Sequence, residues 1–443
     1  MAAAAAPDPL TPLLVAVPVV IIACRAGAQI LRRLGQPPVV GEILVGILLG
    51  PSLLGWLWPA AQTWLFPAAA LPYIGVLGNI GLLVFMFLVG LELDLTSLRG
   101  NSRTAVAVSQ AGIALPLVLG TLLALGMYGD FAPEGTKKLP FVLFIAVSMS
   151  ITAFPVLARI LTDRGLYRTK VGALAMAAAA VDDVSAWCLL AVVVAVTKSN
   201  SPMDALTTAG YAVAFAAVMF FVVRPLLARW AARAERRHSD GVVLVVLFSG
   251  LSVAAYATDR IGVHALFGAF LFGVVTPRGS RRVEATAARM RAFAVPVLLP
   301  LFFVSTGLKT DVGLLGGGVA QWLWTAAVLV VAVVGKFGGG ALAARLSGRG
   351  WRDSLSLGAL MNCRGLTELI VLNIGLGLGV IGPGLFTVLV LMALLTTAMT
   401  TPALTRFRKG IDEEQERAQD QDQDQEANGI GQDEPALGAT AGR

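Results

Sequence analysis

The sequence predicts an all-α polytopic membrane protein, and three observations carry that prediction. Of 443 residues 56% are hydrophobic, the mean hydropathy is +0.77, and only 14% are charged, against about 25% in soluble domains. Apolar stretches long enough to cross a hydrocarbon core about 30 Å thick recur along most of the chain. Basic residues gather in alternate loops between them. The alternating pattern of a closed barrel is missing, so the spans are read as helices.

The segmentation gives thirteen crossings, at 10–31, 38–56, 71–93, 104–127, 139–162, 171–197, 206–228, 240–258, 261–277, 291–308, 321–345, 355–379 and 384–404. Loops on one side then carry 23 basic residues, from Arg32 and Arg33 through Arg99, Arg159, Arg164, Arg168 and Arg281 to Arg406, Arg408 and Lys409. The other side holds five: Lys137, Lys138, Lys198, Arg260 and Lys309. This asymmetry places the N-terminus outside and the C-terminus in the cytoplasm of a cell (inner) membrane. VVIIAC, ending at Cys24, faintly resembles a lipoprotein box, but no Lys or Arg precedes it. It is read as the first span and not as a cleaved signal. Cys24, Cys188 and Cys363 lie in apolar spans without metal spacing and read as buried structural thiols.

The net charge of +7 joins two unlike parts. Residues 1–409 form the membrane part, with its basic residues mostly on the inner loops. Residues 410–443 are an acidic tail, and from Ile411 on they hold ten acids and two arginines. They read as a disordered cytoplasmic segment, too short and polar for a nucleotide-binding regulatory domain. The positive balance signals topology and anionic lipid headgroups, and nucleic acid is not an expected partner.

An inverted repeat organises the membrane part. FMFLVGLELDL at 85–95 ends the third span and LFFVSTGLKTDV at 301–312 ends the tenth, with Gly90-Leu91-Glu92-Leu93-Asp94 matching Gly307-Leu308-Lys309-Thr310-Asp311. The copies lie an odd number of spans apart, so they run in opposite directions, as in secondary transporters. The repeat pairs the fifth span, SMSITAFPVLARIL at 148–161, with the twelfth, MNCRGLTELIVLNIGLGLG at 361–379. Both carry breakers and polar residues mid-span: Ser148, Ser150, Thr152 and Pro155 in one, Asn362, Arg364, Gly365, Thr367, Glu368 and Asn373 in the other. Two interrupted helices in corresponding positions mark a binding site near the midplane.

Charges inside spans need partners. Asp182 and Asp183 sit together in LAMAAAAVDDVSAWCLLAVVVAV at 174–196, where there is no other charge. Each such residue costs roughly 2.5–3.5 kcal/mol to insert. Lys336 has no acid in its own span and is expected to pair with Asp182 or Asp183. Neighbours on a helix point about 100° apart, so one aspartate can face Lys336 while the other faces the broken spans. Arg364 and Glu368 are four apart and share a helix face, where they can offset half-helix dipoles. Arg25 and Arg224 lie near enough to the inner face to snorkel; Glu42 is nearer a span end.

These stretches resemble a known family. QPPVVGEILVGILLGPSLLG at 36–55, LGNIGLLVFMFLVGLELD at 77–94, ITAFPVLARIL at 151–161, AVDDV and MNCRGLTELIVLNIG at 361–375 look like the second monovalent cation:proton antiporter family, over residues 10–405. The wording is nearest to plant cation/H⁺ exchangers and their bacterial relatives. The resemblance implies a thirteen-helix sodium/proton antiporter fold whose fifth and twelfth spans cross as broken helices, working as a homodimer by an elevator-like motion. It implies a dimerisation part near 10–60 and 206–277 and a core part near 71–197 and 291–405. By position, Asp183 matches the aspartate that binds cation and proton alternately. Asp182 matches a residue that is Asp in electrogenic members and Asn in many electroneutral and plant ones, and Lys336 matches its lysine partner. Unlike the glutathione-gated potassium efflux systems, the chain lacks a Gln-Asp pair and a nucleotide-binding tail domain.

The expected function is therefore antiport of a monovalent cation, Na⁺ favoured over K⁺, against protons, with electrogenic exchange. A carboxylate taken out of water holds a proton more readily. A metal cation displaces it only where oxygens replace hydration water: Asp183, with Thr152, Ser150 and backbone carbonyls. No cofactor and no enzymatic activity is expected. An intramembrane aspartyl protease would need aspartates on different helices and a GxGD stretch. The alternative carried forward is a sodium-coupled organic-anion symporter of similar architecture; a cation channel ranks lower. His264 reads as a packed neutral histidine and not a pH sensor.

Overall fold

The structure, a computed structural model, describes residues 10–92, 102–166, 169–198, 202–237 and 240–407. Leu93 and Asp94 of the first repeat copy, the basic residues Arg99, Arg168, Arg408 and Lys409, and the acidic tail at 410–443 lie outside the described residues.

All regular structure among the described residues is helical. α1 (Leu10–Arg33) leads to α2 (Pro38–Leu49), two short pieces α3 (Leu54–Leu57) and α4 (Pro59–Leu65), and α5 (Leu71–Glu92). Then come α6 (Ser102–Phe131), α7 (Lys138–Ser150), α8 (Phe154–Asp163) and α9 (Lys170–Lys198). The middle holds α10 (Pro202–Val218), α11 (Arg224–Arg237), α12 (Asp240–Ile261) and α13 (Ala265–Val275). The last part holds α14 (Arg281–Phe293), α15 (Leu299–Gly307), α16 (Val319–Val333), α17 (Gly339–Leu346), α18 (Trp351–Met361), α19 (Leu366–Gly377) and α20 (Pro383–Phe407). Three π segments, Met219–Val223, Ala294–Leu298 and Val334–Gly338, join α10 to α11, α14 to α15 and α16 to α17.

Local sequence explains the junctions. Arg32 and Arg33 close α1, where cations meet the negative end of the helix dipole. Gly35, at φ +72°, supplies the left-handed turn, and Pro38 opens α2, where its missing N–H costs nothing.

Among the described residues, eleven helical stretches are long and apolar enough to cross a membrane, and α18 with α19, bent by 41° at their junction, makes a twelfth. The expected count of thirteen is not met on length. The ninth expected crossing, 261–277, contains only α13, whose 11 residues rise about 16 Å. The chain is nonetheless a multi-pass membrane protein.

The helices pack in two groups. α6, α7, α9, α16, α17, α18 and α20 contact one another, with α8 against α9 and α19 against α7 and α20. α5 packs on α13 and α15, α15 on α2, α1 on α2, and α12 on α13. The repeat glycines explain part of this second group. Gly90 lies against the backbone of Phe270 in α13, and Gly307 against the backbone of Gly46 in α2, with no room for a Cβ at either. The matching motif thus marks two places where helix backbones approach closely. It also sets α5 and α15 against α2 and α13.

Candidate functional site

The interrupted spans meet near the centre of the first group. α7 ends at Ser150, residues 151–153 are extended, and α8 begins with Pro155 in its first turn. α18 ends at Met361, and Gly365, at φ +147°, caps the start of α19. The two breaks bind each other. Ala153 N–H donates to Cys363 O at 3.0 Å, and Thr152 Oγ1 donates to Met361 O at 3.0 Å. Four half-helix ends with unpaired backbone groups therefore meet inside the protein, away from lipid.

Buried charges meet these ends. Arg364 Nη1 donates to Ser148 O at 2.9 Å and to Glu368 Oε2 at 3.0 Å, while Nη2 donates to Met149 O. Ser148 Oγ donates to Glu368 Oε1. The guanidinium thus covers the carbonyl end of α7, and Glu368 occupies the first turn of α19, the favourable sign at each end. Thr397 Oγ1 accepts from Arg364 N–H at 3.1 Å and donates to Arg364 O at 2.8 Å, fixing the break to α20.

α9 passes alongside, with Asp182 and Asp183 both buried. Asp182 accepts Lys336 Nζ on both oxygens, at 3.0 and 3.1 Å. It also accepts the Thr152 N–H at 2.8 Å, so it serves the N-terminal end of α8 as well. Lys336 sits in the π segment between α16 and α17, the sort of bulge that recurs at functional sites.

Asp183 has a different environment. Its Oδ1 is buried without a hydrogen-bond partner among the described residues. It shares a helix face with Trp187, four residues on, whose Nε1–H interacts with it without completing a hydrogen bond to any described residue. The indole packs edge-on to Phe267 at 5.3 Å and stacks on Phe270 at 6.4 Å, both in α13. Trp187 also lines an apolar cavity of ≈ 480 Å³ between α9, α10, α12 and α13. A buried carboxylate oxygen left without a donor is costly, and a proton or a dehydrated cation is what relieves it.

Much of the expected constellation is present: the Asp182–Lys336 pair, the Arg364–Glu368 pair and the two crossed breaks. Two expectations are corrected. One aspartate, Asp182, takes both the lysine and the broken span, and Asp183 turns the other way. The Ser150 hydroxyl donates to Val147 O at 2.7 Å and the Thr152 hydroxyl to Met361 O at 3.0 Å, which holds both side chains at the break. Cys188 is exposed, whereas Cys24 and Cys363 are buried. Arg25 and Arg224 are exposed, as snorkelling requires, and His264 accepts the Leu266 N–H at the start of α13. Sequence reasoning passed over Trp187, although its spacing from Asp183 was legible; Asn362, one of the polar residues expected in the second break, has a buried Oδ1 with no hydrogen-bond partner among the described residues.

The sequence matches the family described as sodium/hydrogen exchanger, transmembrane, over residues 19–407. The chain belongs to this family. It is 41% identical to the Na⁺/H⁺ antiporter NhaS4 of Synechocystis over 393 residues, 88% of this chain and 95% of that one. It is 33% identical to K⁺/H⁺ antiporter 1 of Saccharomyces cerevisiae and 42% to cation/H⁺ antiporter 17 of Arabidopsis thaliana, covering 89% and 88% of this chain. It spans about half the length of those two, 46% and 47%. The sodium/proton antiporter MjNhaP1 of Methanocaldococcus jannaschii shares the fold, with a TM-score of 0.63 over 91% of this exchanger and 98% of that chain at 15% identity.

Proposed function

We propose that this exchanger is a secondary antiporter moving a monovalent cation, Na⁺ in preference to K⁺, against protons, with both ligands competing for Asp183. The observation that carries this is the asymmetry of the adjacent carboxylates. Asp182 is neutralised by Lys336 and a backbone N–H, whereas Asp183 Oδ1 is buried with no hydrogen-bond partner among the described residues. Only the second is free to take a proton or a cation. The names of the relatives, Na⁺/H⁺ and K⁺/H⁺ antiporters, agree with exchange and not with organic-anion symport.

In this reading the Asp182–Lys336 pair balances the site and sets the charge moved per cycle, making exchange electrogenic. Arg364 and Glu368 hold the crossed half-helices, and Thr152 and Ser150 shape the break from which backbone carbonyls reach the cation. The moving part is α6–α9 with α16–α20; the frame is α1–α5 with α12–α15, and it forms a homodimer in the inner membrane with the N-terminus outside. The test is reconstitution with Na⁺, K⁺ or Li⁺ while lumenal pH and membrane potential are recorded. Asp183→Asn is expected to abolish cation-dependent pH change. Wild-type exchange in that variant would overturn the assignment.

A further inference from the structure

The end of the bundle at which α20 finishes carries an arginine-lined crevice that the transport site does not use. Two adjoining pockets, ≈ 280 and ≈ 550 Å³, share Arg32 and Arg33 as walls. The first also has Arg164 and Gln36, and the second Arg25 and Arg159. These side chains come from the α1–α2 region on one side and from α8 and the turn after it on the other, so the crevice straddles the boundary between the two helix groups. Its carboxylate is Asp163, held by Arg159 at 3.1 Å. Arg164 donates to Gly35 O across the boundary at 3.0 Å. The side chains of Arg32 and Arg33 are exposed and make no hydrogen bond or ion pair with a described residue. Glu42 in α2 also faces Arg25 and Arg159, so five guanidinium groups stand against two carboxylates, still a positive focus.

We propose that the acidic segment 412–426 of this same chain docks in the crevice and ties α1–α2 to α8, as an autoinhibitory latch. The segment holds eight acids and one arginine. Its tether is local: Thr401 lines the first pocket, and Leu404 and Thr405 line a smaller one with Arg164. α20 ends at Phe407, and Asp412 follows five residues on, a reach of roughly 17 Å. A tethered ligand at this distance has an effective concentration near the millimolar range, so individually weak ion pairs are filled. Carboxylates alone would not separate this occupant from a phosphate or a lipid headgroup; the tether does, because it holds this segment within reach of the crevice. Gln36 Oε1 on the crevice wall is buried with no hydrogen-bond partner among the described residues, and the segment can supply N–H donors from its backbone and from Gln415, Gln419, Gln421, Gln423 and Gln425.

The docking stands on the crevice and the segment; its inhibitory effect rests on the exchange reading above. The full chain in phosphatidylcholine nanodiscs is treated with the glutamate-specific endoproteinase, and release of the tail is followed by mass spectrometry. At ~20 mM salt the wild type is expected to release it at least ~5-fold more slowly than Arg32→Gln/Arg33→Gln. The difference is expected to vanish at ~500 mM, where the Debye length is ~4 Å. Equal release at low salt overturns the proposal. In phosphatidylcholine vesicles, removal of residues 411–443 and the double arginine variant are each expected to raise exchange several-fold, with no further gain when combined. An effect of the arginines that persists without the tail and appears only with phosphatidylglycerol assigns the crevice to lipid headgroups and overturns the proposal. A protected tail in a chain that shows no exchange under any condition sinks the exchange reading and leaves the docking in place.

Discussion

The Thr152 N–H donates to Asp182 Oδ2 at 2.8 Å on a carboxylate that already holds Lys336 at 3.0 Å. One side chain therefore joins three elements: α9, the break before α8, and the π segment between α16 and α17. Both charged partners are wholly buried, so the pair is held by geometry and low dielectric, and removing one partner strands the other.

Asp182→Asn and Lys336→Met are each expected to cost about 3–5 kcal/mol, the cost of leaving one buried charge alone. The double variant removes both charges and is expected to regain a large part of that loss. Thermal unfolding of the purified protein in one detergent, read as a double-mutant cycle, measures the coupling; two additive losses would mean the residues do not act as a pair.

Asp183→Asn is expected to behave oppositely. Asp183 has no ion-pair partner among the described residues, so the change of one oxygen to a nitrogen leaves no charge stranded, and the melting temperature is expected to stay at or above that of the wild type. A well-folded variant without exchange separates a transport role from a structural one.

Arg364→Lys keeps the positive charge but cannot reach Ser148 O, Met149 O and Glu368 together, because an ammonium lacks the planar fork. Each buried carbonyl left without its donor is expected to cost about 1–3 kcal/mol. Glu368→Gln keeps an acceptor for Ser148 but strands the Arg364 charge, wholly buried like its partner, and is expected to cost about 3–5 kcal/mol. Expression level and melting temperature measure both, and wild-type stability in Arg364→Lys would count against Arg364 as the tie between α7 and α19.

Gly307→Val is expected to drive α15 away from α2, because the new Cβ would meet the backbone of Gly46. Overpacking of this kind costs about 1–3 kcal/mol. Gly316→Val, where nothing lies within 4 Å, is the control and is expected to leave the melting temperature nearly unchanged.

An inter-group contact gives the last prediction. Asn373 in α19 accepts from Lys309 Nζ at 3.0 Å and donates to Thr306 Oγ1 at 2.9 Å, joining the moving part to α15 at the end opposite the arginine crevice. Asn373→Leu removes both contacts. A cysteine placed at Thr310 is expected to react faster with a membrane-impermeant maleimide in that background, and unchanged labelling would mean the contact does not hold the cleft shut.

The helical spans, the broken pair and the buried charges were legible because a bilayer imposes them on sequence. Each span needs a run of apolar residues, each interruption needs Pro, Gly or polar side chains, and each buried charge needs a counter-charge. The repeat glycines were legible as a motif, but their purpose was not. That Gly90 meets α13 and Gly307 meets α2 follows from which helices lie side by side, and local sequence carries no record of it. Cys188 was misjudged for the same reason, since an apolar span has a lipid-facing side that composition does not mark.

For the carboxylates, the sequence by itself determined that Asp182 and Asp183 point about 100° apart and that one of them neutralises Lys336. Which one does so, and what the other faces, depends on the rotation of α9 about its axis. Packing against α7, α18 and α13 sets that rotation, and only the tertiary structure turns Asp182 to the lysine and the broken helix and leaves Asp183 beside Trp187, its Oδ1 buried with no hydrogen-bond partner among the described residues.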